Sequence, residues 1–171
     1  FEIRILGSIL GMGGAGGDGG YVPESFGEVD KGKVGLVGGD AFHATVDCTI
    51  KVGSGALWAG GGGAGGGESS IDGTESKPIE RAGNGGSGGQ GYGISLGGDA
   101  GTAGSRTGID GNEGNRTTEG ALGGIRGGAF GESGDKDGNN GGLSGYAIVS
   151  NGYNVPLAHG HHNFPLHGRR S

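Results

Sequence analysis

Cysteine is nearly missing from this chain, which has a single Cys48 among 171 residues. One thiol cannot form an internal disulfide, so the chain is not a disulfide-stapled domain. The cysteine content does not indicate whether the protein works in an oxidising or a reducing compartment. Apolar side chains are also scarce, since 30% of the residues are hydrophobic, too few for a large core. No apolar run is long enough for a membrane span, and no 3.6-residue periodicity predicts an amphipathic helix. We therefore expect no membrane insertion and no α-helix.

Positive charge is in short supply as well. The sequence has 12 lysines and arginines against 18 acidic residues, a formal net charge of −6 and a pI near 5.2. This balance argues against nucleic acid as a partner. No Ser/His/Asp or Cys/His arrangement can be argued, because Cys48 faces inward by strand parity and the carboxylates sit singly among glycines. We expect that the protein is not an enzyme.

Glycine dominates what is present, with 51 residues. The stretch 83–93, GNGGSGGQGYG, repeats glycine every third position in two overlapping phases. A period of three suits the left-handed polyproline or polyglycine II helix, which makes no hydrogen bonds within itself. Its N–H and C=O groups must then pair with neighbouring segments, across contacts where only bare glycine fits. Collagen is excluded by the scarcity of proline and the breaks in register, whereas disorder is the alternative that such a composition also favours.

Three short apolar units interrupt the glycine tracts. Residues 42–52 alternate apolar and polar side chains over their whole length, which predicts a half-buried strand with Cys48 inside. The order strand, turn, apolar run and glycine tract occurs in residues 1–20 and again in 42–67, and a third copy begins at Tyr146. In this copy Asn151-Gly152 predicts a tight turn before Val155-Pro156-Leu157. We infer an irregular internal repeat.

These patterns predict a mostly irregular and β fold: a polyglycine II helix bundle, or sandwich, with a few short β-strands. We expect one domain over residues 1–171, ending in a His-rich tail at about 158–171. Residues 21–37 are expected to form a loop, and breaks in the glycine register predict further chain reversals. The candidate connecting loops are 68–82, 92–96, 105–107, 115–119 and 129–137.

The strand, turn and glycine order of 42–67, the tract at 83–93 and the segment GGLSGYAIVSN at 141–151 resemble a known family. They are similar to the glycine-rich receptor-recognition adhesins at the tips of long tail fibres in T-even-like bacteriophages. The resemblance implies a polyglycine II sandwich at the distal tip of the fibre in the virion. Its end loops would bind an outer-membrane protein or lipopolysaccharide on the surface of a Gram-negative host during adsorption.

The resemblance also implies a second partner, either a trimeric tail-fibre shaft protein or further copies of this chain in a self-trimer. Such adhesins can carry an N-terminal module that docks on the fibre. Here the chain opens directly on FEIRILGSILG, so we expect that module to be missing or absorbed elsewhere. A start at Phe1 rather than methionine is typical of a fragment or a processed product.

Candidate receptor-binding residues lie where the glycine register breaks, because loop residues do not build the core and are free to vary. Aromatic and arginine side chains supply rigid anchors at low entropic cost. The alternative is that they pack on the edge of the bundle, above all for Ile94. The candidates are Tyr21, Phe26, Tyr92, Ile94, Arg106, Arg116, Phe130 and Lys136.

The tail HGHHNFPLHGRRS offers a possible metal site. His159 and His161 form a His-x-His pair whose imidazoles would lie on one side of an extended strand. Three chains together could supply six nitrogens to one iron or zinc ion, as trimeric phage fibres do. The alternative is a solvated, partly ordered tail without metal. Apart from this possibility we expect no cofactor.

Other glycine motifs are weaker. Residues 11–16 fit the spacing of a dinucleotide-binding loop, but no helix is predicted to follow. Residues 13–18 and 135–139 resemble pieces of calcium-binding loops without the tandem copies or distal glutamate that these need.

Two rival functions remain. An ice-binding polyproline II bundle needs a flat row of small residues and is usually disulfide-stapled, whereas charged side chains here alternate with the glycines. A structural glycine-rich wall protein would repeat more monotonously.

Overall fold

A computed structural model describes the chain over residues 1–26, 28–74, 76–83, 85, 89, 91, 121–122, 125–126, 129, 132–134, 141–158 and 166–171. Over these residues the fold is mostly irregular and β, as expected, and contains no helix. The strands are β1 Glu2–Ile5, β2 Ser8–Leu10, β3 Thr49–Val52, β4 Ala56–Trp58, β5 Ser70–Thr74, β6 Lys77–Arg81, β7 Ala121–Leu122, β8 Ile125–Arg126, β9 Tyr146–Ile148, β10 Leu157–Ala158, β11 Leu166–His167 and β12 Arg169–Arg170.

Two small parallel sheets contain the internal repeat. The first has the order β1-β3-β10 and the second the order β11-β4-β2. In matching positions Ile3 pairs with Ile50, and Ile9 pairs with Leu57. The turns of the repeat lie at Gly7-Ser8 and at residues 53–55, and neither of them closes a hairpin. Each one carries the chain from the first sheet to the second, so both copies of the repeat lie side by side.

The third copy differs from the expectation. Residues 146–148 form β9, which pairs with β12 instead of joining either repeat sheet. The third strands of those sheets are β10 and β11, paired with β3 and β4. The expected turn at Asn151-Gly152 is confirmed, since both residues have positive φ (51° and 84°) and Tyr153 N–H donates to Ser150 O. Within the expected tail, β11 pairs with β4 and β12 pairs with β9, so the described residues 166–170 are ordered parts of the fold.

The apolar core lies between these sheets. Cys48 is 4% exposed, as its strand parity predicted, and it packs in a cluster with Ile5, Ile50, Leu57 and Ile148. The expected strand over 42–52 is too long, because β3 begins only at Thr49. Residues 42–48 instead bond to the segment that contains β9 and the turn after it. Examples are Ala44 N–H to Val149 O and Cys48 N–H to Asn154 O, and Val46 is left exposed.

Beyond the strands, the first two glycine tracts run parallel and bond at every third residue. The N–H groups of residues 11–20 donate to carbonyls of residues 58–67 at 2.8–2.9 Å: Gly11 to Trp58, Gly14 to Gly61, Gly17 to Ala64 and Gly20 to Gly67. These residues have no strand or helix assignment after Trp58 and Leu10. The period of three in the sequence is therefore a period of three in backbone bonding.

A third segment, residues 30–39, runs antiparallel to both tracts. Its N–H groups donate to carbonyls of the first tract: Lys33 to Asp18, Leu36 to Ala15 and Gly39 to Met12. Its carbonyls accept N–H groups of the second tract and of Ser69: Asp30 from Ser69, Lys33 from Gly66, Leu36 from Gly63 and Gly39 from Gly60. The expected loop over 21–37 is thus wrong for 33–37. The sequence carried the signal, since Gly32, Gly35 and Gly38 are spaced by three.

The three segments approach so closely that a side chain would not fit between them. A Cβ added at Gly14 would lie 2.1 Å from the carbonyl oxygen of Leu36, and one at Gly63 would lie 1.9 Å from that of Ala15. One at Gly35 would lie 2.0 Å from the carbonyl oxygen of Gly63. Nonbonded carbon and oxygen atoms do not come as close as these distances, so glycine is required at each contact.

Further segments extend the same packing. Gly83 and Gly89 donate to Gly20 and Gly14, so these two glycines contact the first tract in antiparallel order. Residues 142 and 145 donate to Gly63 and Gly60. Residues 132–134, expected in a loop, also join: Gly62 donates to Glu132 O and Gly134 donates to Gly142 O. The Glu132 N–H donates to Ala129 O, three residues earlier, which fits the expected loop, whereas Gly134 packs against the second glycine tract.

The glycine segments separate two ends of the molecule. Gly11 follows β2 directly and Gly60 follows β4 closely, so the repeat sheets lie at one end, the strand end. Gly20 and Gly67 bond to each other at the other end of the segments. There loop 21–32 and the hairpin formed by β5 and β6 reverse the chain. We call loop 21–32 with residues 68–81 the distal rim.

Candidate functional site

The distal rim consists of two chain reversals that the sequence places where the glycine period stops. Loop 21–32 joins the first tract to its antiparallel neighbour, and the hairpin follows the second tract after Ser69. The apolar core cluster contains none of the rim residues, so exposed rim side chains such as Tyr21 and Phe26 are available for contacts with another molecule.

Asp30 closes the base of loop 21–32. Its Oδ2 accepts the N–H of Tyr21 at 3.0 Å, and its Oδ1 accepts the N–H of Gly32 at 2.9 Å. Gly32 has a φ of 74°, a left-handed conformation that glycine adopts without strain. A single carboxylate thus holds both ends of the loop with charge-assisted hydrogen bonds.

Ser69 joins this loop to the hairpin. It is fully buried, and its hydroxyl lies 2.5 Å from the carbonyl oxygen of Tyr21 and 3.3 Å from that of Asp30. The shorter contact takes the single hydroxyl proton, while the Ser69 N–H donates to Asp30 O at 2.8 Å. The next residue, Ser70, starts β5. The loop and the hairpin therefore meet at one buried serine.

An ion pair lies just behind the loop. The Lys33 ammonium is 2.7 Å from Asp18 Oδ2, and the Lys33 N–H donates to the Asp18 carbonyl. The hydrogen bond to Asp18, followed by coulombic attraction to the same carboxylate, raises the pKa of Lys33 above its usual 10.5. The Lys33 side chain is 72% exposed, so this pair contributes little to stability.

Large apolar side chains project from the rim into solvent. The exposed fractions are 65% for Tyr21, 42% for Phe26, 48% for Val29 and 53% for Ile79. Amphipathic rings and aliphatic groups of this kind form the centre of many protein interfaces.

The surrounding charge is mainly acidic. Among the rim side chains that the structure describes, the exposed carboxylates of Glu24, Glu28, Asp30, Glu68 and Glu80 outnumber the exposed ammonium of Lys31. The rim thus combines apolar anchors with an excess of negative charge.

Two of the predicted site residues, Tyr21 and Phe26, lie on this rim and are exposed, so the structure brings them into one loop. Val29 and Ile79, also exposed on this rim, were not among the candidates, although each is an apolar residue inside an expected loop. The other candidates lie outside the described residues: Tyr92, Ile94, Arg106, Arg116, Phe130, Lys136, and the predicted metal ligands His159 and His161.

The rest of the described chain offers little other chemistry. Over the described ranges, no group of three His, Cys, Asp or Glu side chains is arranged to hold a metal ion. None of the described segments is a helix long and apolar enough to cross a membrane. A cleft of about 130 Å³ at the strand end, lined by residues including Phe1 and Asn154, is smaller than the usual small-molecule site.

Comparisons with known proteins agree with one another. Residues 1–169 match the family described as "Phage tail fibre adhesin Gp38". The solved gp37-gp38 adhesin tip complex of the bacteriophage S16 long tail fibre includes a chain that shares the fold, with a TM-score of 0.54 and 23% sequence identity. The similarity covers 92% of the present chain, which spans only 54% of the S16 chain. No curated protein matches the sequence.

Proposed function

This chain belongs to the phage tail fibre adhesin family, and we propose that its distal rim binds a receptor on the surface of a Gram-negative host. Family membership makes it a virion protein of the tail fibre. The observation that carries the proposal is the separation of roles along the molecule. Glycine segments bonded through their backbones form the scaffold, and exposed Tyr21, Phe26, Val29 and Ile79 gather at one end of it.

We further propose that the glycine segments are polyglycine II helices packed into a bundle. Bonding between segments at every third residue, contacts that exclude a Cβ, and the lack of a strand or helix assignment in residues 11–20 support this. Because the bundle is held by backbone hydrogen bonds and not by rim side chains, the rim sequence can change to match a different receptor without loss of bundle stability.

For the receptor we propose an outer-membrane protein in preference to lipopolysaccharide. The rim carries more carboxylates than cations, and the phosphate groups of lipopolysaccharide are anionic, so coulombic repulsion would oppose that partner. Extracellular loops of a membrane protein can present the basic and apolar groups that match the exposed rings and carboxylates. Non-covalent binding of this kind needs no catalysis, and we propose that the protein is not an enzyme.

The opposite end is proposed to face the rest of the fibre. Both Phe1 and Ser171 lie at the strand end: Phe1 O accepts the N–H of Thr49, and the N–H of Ser171 donates to Ile148 O. The solved relative is a complex of gp37 with gp38. By analogy, a trimeric fibre shaft protein, or a self-trimer, would attach here and leave the rim at the distal tip. Whether His159 and His161 hold iron or zinc in such a trimer stays a prediction, which metal analysis of the purified protein tests.

The experiment is binding of fluorescently labelled protein to a panel of Gram-negative strains. We expect at least one strain to bind the wild-type protein, and Tyr21→Ala/Phe26→Ala to lose at least about tenfold in affinity, as expected for two interface anchors. Thermal unfolding should change little, since both side chains are exposed. A double variant at the strand end, Leu6→Ala/Val46→Ala, replaces two exposed apolar residues away from the rim and should bind like the wild type.

Two treatments of the bound strain decide the receptor class. Mild surface proteolysis should abolish binding if an outer-membrane protein is the receptor. A mutant of that strain with truncated lipopolysaccharide should then still bind. Binding that survives proteolysis but is lost with truncated lipopolysaccharide would make lipopolysaccharide the receptor. Equal binding by wild type and Tyr21→Ala/Phe26→Ala would show that the rim is not the binding site.

A further inference from the structure

We propose that loop 21–32 and the β5–β6 hairpin form one recognition surface whose arrangement is set by Asp30 and Ser69. The inference rests on the proposed function, because it names the residues that position that same rim. Asp30 and Ser69 are positioning residues: the loop and the hairpin make the contacts, and these two side chains fix where the contacts lie.

Loop 21–32 is closed by contacts at its base and does not depend on its tip. Asp30 uses both carboxylate oxygens on backbone N–H groups at the two ends, Tyr21 and Gly32. Within the tip the described residues add one longer bond, Glu28 N–H to Ser25 O at 3.4 Å. The side chains between the ends can therefore change while the entry and exit of the loop stay in place.

The same base of the loop is hydrogen-bonded to the segment that begins the hairpin. Ser69 has no solvent exposure, contacts Tyr21 O and Asp30 O through its hydroxyl, and donates its N–H to Asp30 O. It immediately precedes Ser70, the first residue of β5. The backbone that carries the exposed Tyr21 ring is thus tied directly to the backbone that leads to the exposed Ile79.

The consequence is preorganisation. Holding two loops in one arrangement before the receptor arrives lowers the ordering entropy that binding must overcome. Ser69→Ala removes the hydroxyl and leaves the Tyr21 carbonyl without that donor, while the glycine segments behind it are untouched. Loosening at this residue should therefore spread into both halves of the rim and not into the bundle.

Amide hydrogen exchange measures this without knowledge of the receptor. Asp30→Ala should speed exchange of the Tyr21 and Gly32 amides by about tenfold or more, since each loses a charge-assisted bond. Asp30→Asn keeps a single acceptor oxygen and should free one of the two amides. Glu24→Gln, at another exposed carboxylate of the loop, should leave both unchanged.

Ser69→Ala decides whether the loop and the hairpin are coupled. We expect faster exchange, by about threefold to tenfold for one lost hydrogen bond, in residues 21–32 and also in β5 and β6, with residues 11–20 unaffected. Faster exchange in only one half of the rim, or in neither, would overturn the proposal.

A binding cycle then asks whether the coupling is used. On a strain that binds the wild type, Tyr21→Ala and Ile79→Ala should each weaken binding, and their joint effect should differ from the product of the single effects. In the Ser69→Ala background this difference should vanish. Wild-type affinity in Ile79→Ala would contradict a shared surface. If no strain binds the wild type, the proposed function fails, while hydrogen exchange still decides whether the rim is one unit.

Discussion

At the scale of single residues, glycine matters here because it has no Cβ, which allows neighbouring backbone segments to pack in direct contact. Gly63 is surrounded by backbone, and a Cβ at this position would lie 1.9 Å from Ala15 O. Backbone cannot move aside as a flexible side chain does, so the whole contact between two segments would have to open.

We expect Gly63→Ala to destabilise the protein by about 3 kcal/mol or more, the upper end of overpacking effects. The matched control is Gly7→Ala, because an added Cβ there meets nothing within 4 Å and its φ is not in the left-handed region. That change should be neutral or slightly stabilising, since alanine restricts the unfolded chain. Chemical denaturation of both variants measures the difference, and similar stabilities for the two would show that the segments do not pack as described.

The ion pair between Lys33 and Asp18 gives a second prediction at this scale. The pKa of Lys33 is raised by Asp18, so the folded protein holds this proton more tightly than the unfolded chain does. The contribution of the pair is therefore complete below about pH 10.5 and is lost as the pH rises through the higher, folded pKa.

The stability difference between wild type and Asp18→Asn should accordingly be constant from pH 7 to 9 and shrink at higher pH. Urea unfolding at several pH values checks this. Because Lys33 is exposed, added salt should reduce the difference as well. A difference that grows with alkaline pH would contradict the assignment.

At the scale of elements, the side chain of Arg169 helps to hold the last strand in addition to the β12–β9 pairing. The guanidinium of Arg169 in β12 donates from Nε and Nη2 to Ser144 O at 3.1 and 2.6 Å, and it lies 4.1 Å from the centre of the Tyr146 ring. Ser144 is 4% exposed, so its carbonyl has no easy replacement by water.

We expect Arg169→Ala to cost about 2 kcal/mol, from the lost bonds and the cation–π contact together. Arg169→Lys should recover less than half of this, because an ammonium cannot present two nitrogens in one plane. Arg4→Ala, at an exposed arginine of β1, serves as the control. Thermal unfolding compares the three, and full rescue by lysine would reduce the role of Arg169 to its charge.

Elements also show how far the sequence could predict the fold. The sequence predicted the glycine segments at 11–20 and 60–67, because close backbone packing requires glycine with a period of three. It also predicted the burial of Cys48, because strand alternation has a period of two. The glycine period of three at 32–38 was missed, because Tyr21, Pro23, Phe26 and the mixed charges of residues 21–37 indicated a loop, and the glycines at 32–38 are separated by large side chains, Val34, Leu36 and Val37 among them. They are exposed in the structure.

Partner choice was harder to predict. The third strands of the repeat sheets are β10 and β11, and no local sequence pattern predicts this. Residues 146–149 have the stronger strand pattern, but they pair elsewhere. Pairing between distant segments decides this. For the rim, Tyr21 and Phe26 could be chosen from residue type and position, but the closing role of Asp30 and Ser69 depends on contacts between residues that are distant in sequence.

At the scale of the whole molecule, the account divides the chain into a scaffold that is insensitive to rim side chains and a rim that is insensitive to the core. Changes in the glycine contacts should lower stability. Changes at Tyr21 and Phe26 should lower receptor binding alone.

The most direct measurement is competition for adsorption. Host bacteria are incubated with the purified protein and then challenged with the phage that encodes it. The account predicts that wild-type protein blocks adsorption and that Tyr21→Ala/Phe26→Ala, folded to the same stability, blocks it at least about tenfold less well. Undiminished infection in the presence of the wild-type protein, or equal blocking by the double variant, would contradict it.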